Sequence, residues 1–369
     1  NRYYREHHNL PTLMEAGLTQ FHMVLFKQIK VDLTTAMLDL INKEREGDMV
    51  ERAMLRKCVE VFEAMGDGNL DVYREDFQSQ LLSSTREYYA RKAQAWIESD
   101  STPAYALKAE EALLREAERV THYLNASTES PLLRVVEVQL LTNQQQNLLD
   151  KEGSGLRALL RDRKKDDLAR LFRLFQRIEG GLVPVARVVQ DHIQEAGLAI
   201  VRERESLIAR GVKESPSDPK FVNALLALLD EAKALVTAEF SGNSLFQKAL
   251  QDAFEVFVNK DVNSKTSNAE MICNYCDRLL RTGGEKLTEA EVEERLERVV
   301  QLFSFVRDKD VFGEVYRNLL AKRLLNQRSA SGDAERSMIS KLKLRCGAQY
   351  TGKMEGMLAD LAVGSDHQR

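Results

Sequence analysis

The sequence predicts an all-α protein, built as a series of stacked helices rather than as one compact bundle. Prolines are few in this chain of 369 residues, well below the average of about 5%, and they stand where helices should begin or break: Pro11, Pro103, Pro131, Pro184, Pro216 and Pro219. Between them, apolar residues recur at helical spacing, and no long stretch alternates as a strand would. About fourteen amphipathic helices with short connections favour an elongated rod or solenoid.

Two segments show the helical spacing most clearly. In residues 168–178 one apolar stripe is formed by Leu168, Leu171, Phe172, Phe175 and Ile178. Closer to the start of the chain, a heptad repeat is formed by Ala106, Leu113 and Val120, with Ala117 and Leu124 beside them. Each pattern predicts a helix that buries one face and leaves charged residues on the other.

Turn and capping signals place several helix ends. Gly66-Asp-Gly68-Asn predicts a turn after one helix, and Thr288-Glu-Ala-Glu291 is a capping box that predicts the start of another. Polar breaks around residues 126–131 and 241–244 interrupt the helical pattern. They predict a division of the chain into residues 1–126, 127–242 and 243–369.

The composition argues against several classes of protein. The formal net charge of −4 gives no general argument for nucleic-acid binding. No apolar run approaches the roughly 20 residues that span a bilayer, and no signal-peptide pattern opens the sequence. Four cysteines in a chain of this length make no disulfide framework and fit a reducing compartment. Because the chain begins with Asn1 rather than Met, we expect a fragment of a longer protein.

The segment Gly347–Met354, GAQYTGKM, matches most of a nucleotide-binding P-loop by spacing alone. A P-loop needs a Ser or Thr after its lysine to hold magnesium, but Met354 follows Lys353. The loop must also follow a buried strand, whereas residues 339–346 are charged and continue a helical pattern. We therefore predict a connection between two helices here, and no nucleotide or other cofactor.

Other signals for chemistry are weak. Cys273-Asn-Tyr-Cys276 lacks two further ligands for zinc and lacks the βαβ context of a redox motif, so we expect packed core thiols. None of the six histidines forms an HExxH arrangement or a relay. The run Arg161–Lys165 is either a charged loop before the 168–178 helix or a nuclear localisation signal. We predict no catalytic and no metal-binding residues.

One segment is strongly basic. Residues 311–353 carry nine basic and three acidic residues, so nine minus three gives a local charge of +6. The basic residues are Arg317, Lys322, Arg323, Arg328, Arg336, Lys341, Lys343, Arg345 and Lys353. They form either a solvated helix face without a partner or a docking surface for an acidic protein tail, with Lys322, Arg323, Arg328, Lys341 and Lys343 as the candidates. Nucleic acid is disfavoured because no aromatic residues interleave on the same face.

The same region resembles the signature of the cullin family. The matching run is long and ordered: Asp308–Phe312, Tyr316, Leu320–Leu325, Ser329–Glu335, Ser337–Lys343, Cys346-Gly347 and Tyr350–Met357. Earlier segments agree, namely Tyr88-Tyr89 with Trp96, Tyr105–Glu111, Arg119–Ser127 and Arg157–Asp162. The resemblance covers essentially the whole chain and is nearest to the cullins of SCF (Skp/F-box) ubiquitin ligases. The sequence is similar to that of plant or algal members.

The resemblance implies a fold and a role. Cullins are non-catalytic scaffolds of RING ubiquitin ligases, with a stalk of three five-helix repeats and a globular domain that opens with a four-helix bundle. Residues 1–126 would be the end of repeat one and repeat two, 127–242 repeat three, and 243–369 the bundle. The parent protein would hold substrate and conjugating enzyme apart at a fixed geometry for ubiquitination, in the cytoplasm and the nucleus.

The resemblance also implies partners for the full-length parent: a Skp-type adaptor with F-box proteins, a RING-box protein, an E2 ubiquitin-conjugating enzyme, the neddylation modifier and a cullin exchange factor. Only a remnant of the adaptor side would remain here, at Asn1, Arg2, Tyr3 and Tyr4. Arg281 and Lys286 lie where cullins hold the acidic tail of the E2 enzyme, although Thr282 and Glu285 dilute the charge. The RING site and the neddylated lysine would lie beyond Arg369. No nucleic acid and no membrane is expected.

Two alternatives come from other classes. A helical-rod tethering subunit of a trafficking complex would share the stacked helices but not the cullin signature. The hypothesis that the chain is an enzyme would be supported only by the incomplete P-loop and the CxxC motif.

Overall fold

A computed structural model of the chain describes residues 12–66, 68–211, 215, 218–260, 262, 266–284 and 287–367. Over these residues the regular secondary structure is helical, and extended pairing is limited to one isolated bridge between Arg281 and Ser329. The predicted all-α class is therefore confirmed. None of the helices described here is long and apolar enough to cross a membrane.

The chain forms two compact units, Asn1–Leu182 and Val183–Arg369. The described α-helices of the first unit are α1 (Leu13–Phe21), α2 (Lys27–Glu46), α3 (Arg52–Ala64), α4 (Ser79–Ser99), α5 (Thr102–Tyr123), α6 (Glu129–Glu137), α7 (Gln145–Asp150), α8 (Leu156–Arg161) and α9 (Lys165–Phe175). Three π-helical segments adjoin α1, α4 and α6, at His22–Phe26, Tyr73–Gln78 and Val138–Thr142.

The second unit is formed by the helices that follow. They are α10 (Leu182–Ala209), α11 (Lys220–Ala238), α12 (Ser244–Val258), α13 (Asn268–Leu280), α14 (Glu289–Phe303), α15 (Lys309–Leu325), α16 (Gly332–Cys346) and α17 (Ala348–His367). Within this unit α13 packs against both α14 and α15, α16 packs against α14, and α17 packs against α15 and α16.

The breaks predicted from sequence coincide with helix ends. A 3-10 turn at Ala126–Thr128 separates α5 from α6, and residues 239–243 separate α11 from α12. The boundary between the two compact units lies elsewhere, after Leu182, inside the part predicted for residues 127–242. The assignment of residues 1–126, 127–242 and 243–369 to repeats and bundle therefore stays a prediction.

Local sequence signals account for the helices. In α9 the stripe buries Leu168, Leu171, Phe172 and Phe175, whereas Ile178 follows the helix and is half-buried. In α5 the heptad positions Ala106, Leu113 and Val120 are buried. The capping box of α14 forms as predicted: Glu291 N donates to Thr288 Oγ1 at 3.3 Å, and Thr288 N donates to Glu291 Oε2 at 2.8 Å.

The first unit buries a network of charged side chains where α2, α4 and α5 meet. Glu116 accepts two hydrogen bonds from Arg45, with Nε–Oε1 at 2.9 Å and Nη2–Oε2 at 3.1 Å. It also accepts from Arg119 Nη1 at 2.9 Å and from the Tyr89 hydroxyl at 2.7 Å. Arg119 Nε donates further to Glu44 at 3.0 Å. The Arg45 and Glu116 side chains are each 1% exposed, so both charges depend on these partners.

The arginines decide the protonation of the buried carboxylate. Burial would raise the pKa of Glu116, but the Arg45 guanidinium, then Arg119 and the Tyr89 hydroxyl, outweigh it and lower that pKa below its ordinary value of 4.5. A carboxyl with a depressed pKa stabilises the folded state above its unfolded pKa, and this stabilisation disappears as pH falls through the folded pKa. The network therefore stabilises the first unit at neutral pH and weakens in acid.

We expect Glu116→Gln to destabilise the chain by about 3–5 kcal/mol near neutral pH, because it leaves the buried Arg45 without a carboxylate and Arg119 with Glu44 alone. The difference from wild type should shrink below about pH 4, since acid removes the same charge from the wild type. Urea unfolding along a pH series measures both effects. Glu60→Gln, which changes an exposed partner of Arg56, is the control and should change little. A loss that is independent of pH would contradict the assignment.

Close helix packing in the second unit requires glycine at two positions. A Cβ added at Gly197 on α10 would overlap the ring of Phe257 on α12. At Gly313 on α15, a Cβ would lie 2.7 Å from the Tyr350 hydroxyl oxygen on α17. The missing side chains let each pair of helices approach at these points.

Gly197→Ala should lower stability by about 1–3 kcal/mol, because the methyl group must displace a buried ring. Gly352→Ala is the matched control: it lies in helix α17, and its Cβ would meet no atom within 4 Å. That substitution should leave stability unchanged or raise it by up to about 1 kcal/mol. Thermal unfolding of both variants compares them directly. Equal melting temperatures would show that α10 and α12 do not need the glycine.

Candidate functional site

The structure describes only some of the predicted partner-binding residues. Asn1, Arg2, Tyr3, Tyr4 and Lys286 lie outside the described residues. The remaining candidates, Arg281, Lys322, Arg323, Arg328, Lys341 and Lys343, all belong to the second unit. They do not form one continuous basic face.

Arg323 was predicted on the basic face, and that prediction is wrong. Its side chain is only 1% exposed, because α15 turns it into the space between α13 and α16. Arg323 Nε and Nη2 donate to the two carboxylate oxygens of Glu335 at 2.8 and 2.9 Å, and Nη1 donates to Asp277 at 2.7 Å. Burial would lower the pKa of Arg323, but Glu335 and Asp277 outweigh it and raise that pKa above its ordinary value. Arg323 is therefore an internal cation that no partner can reach.

The buried arginine joins the ends of three helices. Asp277 stands in the last turn of α13, Arg323 in the last turn of α15 and Glu335 in the first turn of α16. Ser329 adds a hydrogen bond from its hydroxyl to Glu335 Oε1 at 2.9 Å. We call these four residues the Arg323 hub. A carboxylate at the amino end of α16 is also favoured by the helix dipole.

A short backbone pairing joins residues 280–282 to residues 328–330, which include Ser329 of the hub. Thr282 N donates to the Arg328 carbonyl at 2.7 Å, and Ala330 N donates to the Leu280 carbonyl at 2.9 Å. The Thr282 hydroxyl donates to the same Arg328 carbonyl at 2.9 Å. This pairing brings Arg281 and Arg328, 47 positions apart by numbering (328 minus 281), to the same end of the helical unit.

The end of α15 is closed by two further backbone bonds. Gln327 takes a left-handed conformation with φ 52°, Arg328 N donates to the Arg323 carbonyl at 2.8 Å, and Gln327 N donates to the Leu324 carbonyl at 3.1 Å. This is the Schellman pattern of a helix end. It turns the chain sharply and leaves Lys322, Leu325 and Arg328 exposed.

Lys341 and Lys343 are matched by carboxylates. Lys341 lies 2.8 Å from Glu293 and 2.9 Å from Glu297 on α14, and only a fifth of its side chain is exposed. Lys343 lies 3.1 Å from Glu355 on α17. Their charges are therefore compensated by neighbouring helices, and they contribute little net positive potential.

The cations that stay available are Arg281, Lys322 and Arg328, which we call the basic tip. All three are exposed. Among the described residues, Lys322 and Arg328 have no ion-pair partner within 4.0 Å, and Arg281 has only Asp277 at 3.8 Å, a carboxylate already bound by Arg323. Backbone bonds fix the position of two of them. The basic tip can attract and orient an anionic group.

The other predicted motifs are structural parts of the helices and of the connections between them. Gly347, with φ 84°, joins α16 to α17, so the P-loop-like segment connects two helices as predicted. Cys273 and Cys276 are fully buried in α13, and burial raises the pKa of both thiols, that of Cys276 to about 12. Within the described part of the chain no cluster of His, Cys, Asp and Glu could hold a metal ion.

Sequence reasoning missed the acidic half of the hub. Asp277 lies outside the basic segment, and Glu335 was counted only as one of its three negative charges. Nothing in local spacing pairs Arg323 with residues 46 and 12 positions away. The one available signal was a carboxylate in the first turn of a helix that carries several lysines and arginines.

Comparison with known proteins covers the whole chain. Residues 1–368 match the family model described as the Cullin alpha solenoid domain. The chain is 45% identical over 374 residues to Cullin-1 of Oryza sativa subsp. japonica, which covers 100% of the chain and 50% of that protein. It is 41% identical to Cullin-2 of Arabidopsis thaliana, again over 100% and 50%. It is 37% identical to Cullin-3A of Arabidopsis thaliana, over 96% of the chain and 47% of that protein. The chain thus spans about half the length of these relatives.

Glu335→Ala should destabilise the second unit by about 3–5 kcal/mol, because Arg323 would stay buried with one carboxylate instead of two. Equilibrium urea unfolding measures the loss. Arg336→Ala removes the partner of Asp333 at an exposed position of the same helix, α16, and should leave the unfolding midpoint almost unchanged. If both variants unfold at the same urea concentration, the hub is not a stabilising element.

Proposed function

The chain belongs to the cullin family, and we propose that its full-length parent is a non-catalytic scaffold of a multi-subunit ubiquitin ligase. The observation that carries the proposal is the match of residues 1–368 to the cullin family model. Two features of the described structure fit it: Arg323 is buried in ion pairs with Asp277 and Glu335, and Cys273 and Cys276 are packed as core thiols.

A scaffold accelerates ubiquitin transfer without making or breaking bonds. It holds the substrate and the loaded conjugating enzyme in one complex, so that their encounter becomes intramolecular. Effective concentrations of tethered partners reach the order of millimolar, and the geometry of the tether decides which separations can react. A helical protein with buried polar networks suits this role because its helices keep one mutual arrangement.

We further propose that the ligase is of the SCF type. The 45% identity to a protein named Cullin-1 supports this choice over the 37% identity to Cullin-3A. The parent would then bind a Skp-type adaptor with F-box proteins, a RING-box protein, an E2 ubiquitin-conjugating enzyme, the neddylation modifier and a cullin exchange factor. Its expected location is the cytoplasm and the nucleus.

Within this complex, the basic tip is proposed to hold the acidic tail of the E2 enzyme. Arg281 is the one described residue of the pair carried over from the family resemblance. The exposed charges of Lys322 and Arg328 at the same end of the unit support the assignment. Lys341 and Lys343 are not needed for it, since α14 and α17 compensate their charges.

The tethering alternative has no observation of its own in its favour. A trafficking subunit would share stacked helices, which many proteins have, but the family match is to cullins. Co-purification of membrane-tethering subunits would be the result that favours this alternative.

Co-purification tests the proposed function. Tagged full-length parent and the 369-residue chain would be expressed side by side, and their partners quantified by mass spectrometry. We expect the parent to carry both a Skp-type adaptor and a RING-box protein, and the shorter chain to lose both. A RING-box protein with an adaptor of another class would refute only the SCF assignment. Membrane-tethering subunits in place of both would refute the scaffold.

A further inference from the structure

Leu325 is an exposed leucine on the same helix end as Lys322 of the basic tip. It is the last residue of α15, its side chain is 84% exposed, and Lys322 precedes it by one helical turn. Arg328 follows it after the Schellman turn, next to Arg281 in the backbone pairing. Single exposed leucines are common on protein surfaces, so it is the position of Leu325 beside exposed cations, and not its exposure alone, that makes it a candidate contact.

We infer that Leu325 is an apolar contact for the partner of the basic tip, and that this partner is an acidic segment with an aliphatic or aromatic residue among its carboxylates. The inference rests on the proposed docking of an acidic tail at this site. It adds a chemical requirement, because a run of carboxylates alone would leave Leu325 in water.

The positive charge of the tip follows from the hub beneath it. Asp277 and Glu335 are both bound by Arg323, and of the exposed cations only Arg281 also contacts one of them, Asp277 at 3.8 Å. Lys322 and Arg328 therefore present uncompensated charge near an exposed apolar side chain, and the charge of Arg281 is only partly compensated. An acidic segment that brings its own apolar residue complements both features, whereas a small anion would meet only the charges.

A second exposed leucine shows why composition alone does not define the site. Leu344 on α16 is 88% exposed and stands between Lys343 and Arg345. There, however, Lys343 is paired with Glu355, and Lys341 one turn earlier is paired with Glu293 and Glu297. Leu344 thus has two compensated lysines nearby, and of its basic neighbours only the exposed Arg345 has no ion pair among the described residues. It provides a matched control.

The experiment measures peptide binding to the full-length parent by fluorescence anisotropy at low salt. The probes are two labelled synthetic peptides of Asp and Glu residues that differ only in a central leucine or serine. We expect the leucine peptide to bind about five- to tenfold more tightly, the scale of burying part of one leucine side chain. Leu325→Ser should remove this difference, and Leu344→Ser should preserve it. Both substitutions are at exposed positions, and thermal melting checks that each variant is folded.

The outcomes separate the inference from the proposed docking site. Equal binding of the two peptides by the wild type, or a preference that survives Leu325→Ser, overturns the apolar contact. The double variant Lys322→Glu, Arg328→Glu should weaken both peptides at least tenfold. If it weakens neither, the basic tip is not an acidic-segment site, and the inference falls with it. The scaffold proposal is judged separately, by co-purification.

Discussion

The guanidinium of Arg323 lies between the carboxylates of Glu335 and Asp277, almost entirely shielded from water. An ion in such a place costs several kcal/mol of lost hydration unless it is paired with good geometry. The three side chains must therefore meet, and with them the ends of α13 and α15 and the start of α16. The backbone pairing of Thr282 with Arg328 follows from that meeting. The exposed cations of the basic tip are positioned by this interior contact.

The first unit also buries charged side chains that depend on ion pairs, with Arg45 and Glu116 in place of Arg323 and its carboxylates. Apolar stripes such as that of α5 bring helices together but tolerate small shifts along their axes, since aliphatic side chains repack easily. The paired hydrogen bonds from Arg45 to Glu116 accept only one arrangement. Buried ion pairs add little net stability compared with apolar packing, but breaking them is costly. We interpret the two networks as devices that fix helix register, which is the property a scaffold needs.

Three of the six described candidates for the basic face are not available to a partner. Lys341 and Lys343 are compensated by glutamates of neighbouring helices, and Arg323 is internal. The other three, Arg281, Lys322 and Arg328, are exposed at the same end of the unit as Leu325. Under the proposed docking, selectivity from so few groups would require a partner that satisfies both the charges and the leucine.

The sequence by itself determined the helices, several of their ends and the connection between two helices at Gly347. Helical periodicity, the Thr288–Glu291 capping box and the glycine at 347 all act within a few residues, so local spacing is enough to detect them. Family membership was likewise readable, because the signature from Asp308 to Met357 is long.

Only the tertiary structure decided which charges are available. Arg323 and Lys322 are adjacent in sequence, yet one is buried in the hub and the other faces solvent. That difference depends on Asp277, 46 positions away, and on the direction in which α15 packs. A count of charges along the chain cannot contain this information, because the energy of a charge depends on its burial and its partners. The size and position of the basic tip therefore follow from folding, not from composition.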